Sequence, residues 1–325
     1  VDVGTSTETI TLTDNGAGGT VKVAGDIDTE ILSVTLTAGD EIELGGTITT
    51  IAATNNKVDI NGPVVLTANT IIDTSLNNGT IDLSSTVDGD FTFKLDSNGG
   101  AIGVHGVIGG STAVKTIDVN HADGAGIITL VGIGTTSAAG NVGVVDIGNA
   151  NTASINLGKA NTNTFFNTNG ATEYTTTGTS HTIDIIGGNA GTADKGVTFK
   201  SDNDKLTFTG GQIDLANDTN LTISNGSGEI VLTPIVGDSN EDVSITTTGV
   251  VTTKAIGNAN EIATVGISGG TIKLDGNITT DVGNVTLTGP VELQSNGITI
   301  DTTSAVTTSG TVEFTSTLDS ASGTA

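Results

Sequence analysis

VTFKSDNDKLTFTGGQIDLANDTNLTISNGSGEIVL, residues 197–232, contains five short segments in which two apolar side chains flank a single residue, polar in the first four and Val231 in the fifth. The pairs are Val197/Phe199, Leu206/Phe208, Ile213/Leu215, Leu221/Ile223 and Ile230/Leu232, and their starts fall 9, 7, 8 and 9 residues apart. Successive side chains of an extended strand point to opposite faces, so each pair sends its apolar members to one interior and leaves Thr, Asp, Asn or Lys outside. Between the pairs stand Ser201-Asp202-Asn203-Asp204, Gly210-Gly211, Asn217-Asp218 and Asn225-Gly226-Ser227-Gly228. These residues accept tight-turn and left-handed backbone angles with little strain.

No window of the chain sustains apolar residues at i, i+3, i+4 and i+7, and Thr, Val, Ile and Gly are poor helix formers. The predicted fold is therefore all-β. Short, evenly spaced strands fit a sandwich, a barrel or a parallel β-helix. Many linkers are Gly- and Ser-rich bends that need not reverse the chain, the aromatic anchors of sandwich cores are nearly missing, and two-residue apolar strands suit a narrow coil. A parallel β-helix (β-solenoid) with three strands in a coil of about 24 residues is the expectation; tandem β-sandwich domains are the alternative. Thr and Asn at like positions of adjacent coils should form hydrogen-bonded ladders.

The stretch 30–88 returns as 261–319. EILSVTLTAGDEIELGGTITT from Glu30 matches EIATVGISGGTIKLDGNITT from Glu261, GPVVL at Gly62 matches GPVEL at Gly289, and GTIDLSSTVD from Gly79 matches GTVEFTSTLD from Gly310 without a gap. Loop insertions that leave the order of strand cores intact are typical of stacked repeats. Residues 1–325 are accordingly read as one continuous β-solenoid. The segment 161–180, with adjacent Phe165-Phe166 and the lone Tyr174, breaks the spacing and is expected to be an irregular insertion, a loop or short hairpin.

Composition limits the partners. The chain has 36 acidic residues against 10 basic ones, a net charge of -26 and a pI near 4.1. Nucleic acid, a polyanion bound through Lys and Arg, is excluded as a partner on this ground, and anionic membrane surfaces are disfavoured. Cysteine is absent, which removes disulfides and thiol chemistry together. The sequence begins at Val1, contains no Met, and shows no signal-peptide core and no apolar run long enough to cross a bilayer. It reads as a processed product or a fragment, without direct membrane insertion. Alternating apolar residues at 35% hydrophobic content argue against disorder.

From Gly62 to Val119 the elements GPVVLTANTIIDTS, GTIDLSSTVDGD and AIGVHGVIGGSTAVKTIDV follow one another. This order resembles the repeats of large bacterial surface proteins: filamentous-haemagglutinin-like adhesins and autotransporter passengers, rickettsial surface antigens included. The likeness covers that stretch well and 289–319 in part. It implies a right-handed parallel β-helix carried outside the cell as stalk, coat or adhesive fibre.

Parallel β-helices also include polysaccharide lyases and hydrolases, so catalytic carboxylates need weighing. Glycoside cleavage takes two carboxylates fixed across the scissile bond; Asp238, Glu241 and Asp242, or Asp202 and Asp204, could supply them, but neighbouring acids in turns of so acidic a chain are expected to be solvated or bonded to their own backbone. No catalytic and no cofactor-binding residue is assigned. His105, His121 and His181 lack metal-like spacing and a partner Cys. Asp238-Ser239-Asn240-Glu241-Asp242 opens like a calcium loop, making Asp238, Asn240 and Asp242 weak metal candidates for a divalent cation such as calcium, but Val243 replaces the glycine and Gly249 the glutamate that such a loop needs. Asn78, Asn217, Asn220, Asn225, Asn277 and Asn284 head N-x-[ST] triplets, a weak glycosylation signal. Gly106–Gly110 carries no phosphate-loop Lys, and I-G-N-A-N at Ile147 and Ile256 reads as a structural corner. The sequence thus predicts a non-enzymatic extracellular protein, a β-solenoid segment of a bacterial surface adhesin, stalk or fibre. Its expected partners are copies of itself or flanking repeats stacked end to end, with cell-surface or glycan ligands. The alternatives are a self-assembling filament or surface-layer subunit and, remotely, a polysaccharide lyase or hydrolase.

Overall fold

The computed structural model describes the chain outside residues 1–7, 28–30, 52–55, 121–124, 179–180, 189–193, 259, 304–308 and 322–325. It is all-β, and its strand ladders are parallel. The parallel pairing excludes the sandwich alternative, whose sheets are antiparallel. Two compact units are present: residues 1–156 with 167–169 and 174–177, and residues 157–166 with 170–173 and 178–325.

In the first unit the strands Glu8–Asp14, Ile31–Ala38, Lys57–Asn61 and Thr80–Leu83, then Ile102–Ile108, form one ladder. Its register stacks Val34 on Val58, Ile81 and Ile102, and Leu36 on Ile60, Leu83 and Val104. A second ladder stacks Val21, Ile42 and Val64, and a third stacks Ile48, Ile72, Leu95 and Val119. All of these side chains are buried. Burying one Val, Leu or Ile contributes about 1.5–3 kcal/mol, so three aliphatic columns suffice where aromatic anchors are few.

The second unit repeats the plan. Val197, Leu221, Val243, Val265, Val285 and Val312 stack on one ladder, Leu206, Ile230, Val251, Ile272, Val291 and Leu318 on another. Ile183, Ile213, Ile235, Ile256, Ile278 and Ile300 form the third. The coil length varies, 20 residues from Val265 to Val285 and 27 from Val285 to Val312, because the corners absorb insertions while the strand cores keep register. The two repeat copies occupy equivalent positions in their units: Val34–Val58–Ile81 in one is Val265–Val285–Val312 in the other. Gly62 and Gly289, matched in sequence, both take left-handed backbone angles, φ 151° and 122°, open to glycine.

The expectation of an irregular insertion at 161–180 is corrected. Thr164–Thr168 and Thr172–Thr175 are regular strands with buried alternate side chains. Phe166 stacks on Phe199 with ring centroids 5.0 Å apart, and Phe199 meets Phe208 edge-on at 5.1 Å. These rings fill the interior in place of aliphatic residues, and Tyr174 is likewise buried.

Candidate functional site

Asparagine side chains staple one coil to the next. The side-chain carbonyl of Asn78 accepts the Gly99 N–H at 3.0 Å, Asn220 that of Asp242 at 2.9 Å, Asn277 that of Thr299 at 2.9 Å and Asn284 that of Thr311 at 2.9 Å. Four of the six glycosylation triplets are therefore occupied in coil-to-coil bonding, and the Asn225 of a fifth is buried. Hydroxyl ladders are present as well: Ser33 donates to Thr9 and Thr116 to Thr92, both at 3.1 Å. Outward charges pair across coils, as Lys22 with Glu43 on facing register positions and Lys94 with Asp118 at 3.5 Å.

The corner between strands Ile235–Val236 and Asp242–Thr246 departs from this pattern. Ser239 sits at φ 84°, a left-handed conformation costly for a non-glycine residue. Glu241 points inward and is fully buried, the one charged residue buried to that degree among those described. Its carboxylate accepts backbone N–H groups from Asp238 at 2.7 Å, Asn240 at 3.3 Å and Asp218 of the preceding coil at 3.2 Å. Burial and a side-chain hydrogen bond with Asp238 push its pKa up to about 7, opposed by the amide donors, which favour the ionised form.

The three metal candidates do not converge. The Asp238 carboxylate takes a weak 3.5 Å bond from the Asn240 amide, whereas Asp242 accepts the Thr264 hydroxyl at 2.5 Å. Among the described residues no group of three or more His, Cys, Asp or Glu could hold a metal ion. Asp238 and Glu241 do meet, but Glu241 is enclosed, so it cannot flank a glycosidic bond. Asp202 and Asp204 are exposed in a turn.

His105 reaches over Gly103 to Asp82, with Nε2 2.8 Å from the carboxylate, and both side chains are half exposed. His181 precedes strand Thr182–Ile186, and His121 lies outside the described residues. Gly106 and Gly110 flank the end of strand Ile102–Ile108 and its turn. In the I-G-N-A-N segments, Gly148 and Gly257 take φ 75° and 72°, and a Cβ on either would strike a carbonyl oxygen of the next coil, that of Thr175 or Thr279.

Sequence reasoning placed Glu241 among many solvated turn acids and missed its burial. The signal lay in register: Glu241 stands two residues before Val243, as Thr219 stands before Leu221 and Ala263 before Val265. That position faces the interior. No protein-family model matches the chain, and neither a curated protein nor a solved structure gives a match.

Proposed function

We propose that the chain is a non-enzymatic structural protein of the bacterial exterior, a β-solenoid length of a surface adhesin, stalk or fibre. The reading is carried by the way coils are joined: apolar columns inside, and asparagine staples, hydroxyl pairs and charge rungs outside, all running from coil to coil. Such bonding resists separation of neighbouring coils, the load a stalk has to bear. A surface rich in uncompensated carboxylates keeps long extracellular polymers soluble and apart. The resemblance of 62–119 to adhesin repeats points the same way.

Immunogold labelling with antibodies raised against the purified chain tests the location. Label on projections of intact, unpermeabilised producing cells is the expected result. Label that appears only after permeabilisation overturns the reading.

A further inference from the structure

The closing elements of the two repeat copies, matched in sequence, lie in different surroundings. In the first copy Ile102 stacks on Ile81, Val104 on Leu83 and Ile108 on Val87, and the three covered residues are at most 1% exposed. In the second copy the equivalents are the strands Val312–Phe314 and Leu318–Ser320. Each pairs, among the described residues, only with the coil before it, and Val312 is 38% and Leu318 49% exposed. The first copy thus shows what such an edge accepts: a parallel strand with apolar residues at alternate positions, then another apolar residue on the next ladder. Glu8–Asp14 and Thr20–Val23 have that form and pair, among the described residues, only with the coil after them. Ile10 and Leu12 alternate on the first, Val21 and Val23 on the second, and Ile10, Leu12, Val23 and Ile27 line an open apolar hollow. Ile10 to Val21 spans 11 residues where Val312 to Leu318 spans 6, a corner insertion of the kind seen from Leu221 to Ile230, which spans 9.

We propose that a second copy of the chain docks head to tail, its strands Glu8–Asp14 and Thr20–Val23 continuing the ladders that reach Val312–Phe314 and Leu318–Ser320. In this register Ile10 stacks on Val312, Leu12 on Phe314 and Val21 on Leu318, and main-chain hydrogen bonds form along both edges. Charge complementarity fixes the same register. Asp319 stands on Glu292, a like charge, in the coil before it. Lys22 of the docking copy falls on Asp319 and already pairs with Glu43 on its other side, so docking extends a rung of alternating sign. The two edges differ, so the contact is heterologous and can repeat from copy to copy. Docking rests on the fibre reading above for its biological setting.

Sedimentation velocity of the purified full chain over a concentration series reads the association directly, and species larger than the monomer should grow with concentration. Leu12→Asp and Leu318→Asp each put a charge into the apolar contact and should weaken self-association at least about tenfold. Both residues are exposed in the single chain, so the fold survives either change. Mixed, the two variants should form a dimer and nothing larger, since each keeps one intact edge of the opposite kind. Lys22→Glu or Asp319→Lys alone should weaken association about fivefold, and the two together should restore it. A parent chain that stays monomeric overturns the docking, and does so too if hydrogen exchange finds Val312–Phe314 protected, which would assign that edge to another segment of the same chain. Association unchanged in Leu12→Asp and Leu318→Asp, or a mixture that stays monomeric, overturns it as well. Surface labelling is independent of these readouts: a monomeric chain found outside the cell defeats the docking alone, and an associating chain found only inside defeats the location alone.

Discussion

The hydroxyl of Thr74 donates to the carbonyl oxygen of Gly79 at 2.7 Å, closing a corner of the first unit, and Thr302 repeats the bond to Gly310 at 3.1 Å in the second copy of the repeat. Thr74 is 0% exposed and Thr302 7%, so water can replace the hydroxyl more readily at the second. Thr74→Val preserves shape but strips a buried carbonyl of that donor, at a cost of about 1–3 kcal/mol. Thr302→Val should cost less. Urea unfolding of both variants checks the order, and a larger loss in Thr302→Val would contradict it.

Glycine stacks on glycine at the inward corners. A Cβ on Gly100 would come 1.9 Å from the Gly79 carbonyl oxygen, and one on Gly310 would come 2.0 Å from that of Gly283. Backbone cannot yield as a flexible side chain can, so Gly100→Ala must push two coils apart. A loss of about 3 kcal/mol or more is expected, together with lost exchange protection in Thr80–Leu83. Gly266→Ala, where nothing lies within 4 Å of the added carbon, is the control and should change stability by less than about 0.5 kcal/mol.

The fold was legible where apolar residues alternate, because period-two burial leaves a direct trace in sequence: all five pairs of 197–232 lie in strands with the named side chains buried. It was illegible at 161–180, where Phe165-Phe166 breaks the alternation and Thr takes inward positions such as Thr164 and Thr168. A buried Thr looks like an outward one until its coil-mates are known. The Glu241 corner was hidden for the same reason, since single-residue chemistry does not say which turn residue faces the interior.

Asp73 and Asp96 face each other across adjacent coils of the first unit. Burial raises the pKa of Asp96, and the charge of Asp73 raises it further. The Asp73 carboxylate also accepts the Ser75 N–H at 2.9 Å, a role the carbonyl of an asparagine can keep. Asp73→Asn should therefore stabilise this unit at neutral pH by about 0.2–1 kcal/mol, the range for a cross-strand charge pair. The gain should shrink with added salt and vanish in acid, once Asp96 takes up its proton and the like-charge pair is gone. Thermal unfolding at two pH values measures it, and a gain that persists in acid would assign the effect to something other than charge.

Val282 holds φ 55° in the turn before strand Val285–Thr288. A β-branched side chain is poorly suited to that region, at a cost of about 1–2 kcal/mol. The turn is fixed from both sides, by the Thr280 hydroxyl donating to the Gly283 carbonyl at 2.7 Å and by Asn284 accepting the Thr311 N–H at 2.9 Å, so the backbone cannot relax away from the strained angle. Asparagine tolerates the left-handed region, and Val282→Asn should raise the stability of the second unit by about 1 kcal/mol. Val282→Ile, equally branched, should bring no such gain. If the asparagine variant melts lower than the parent chain, the valine's packing outweighs its backbone strain at this corner.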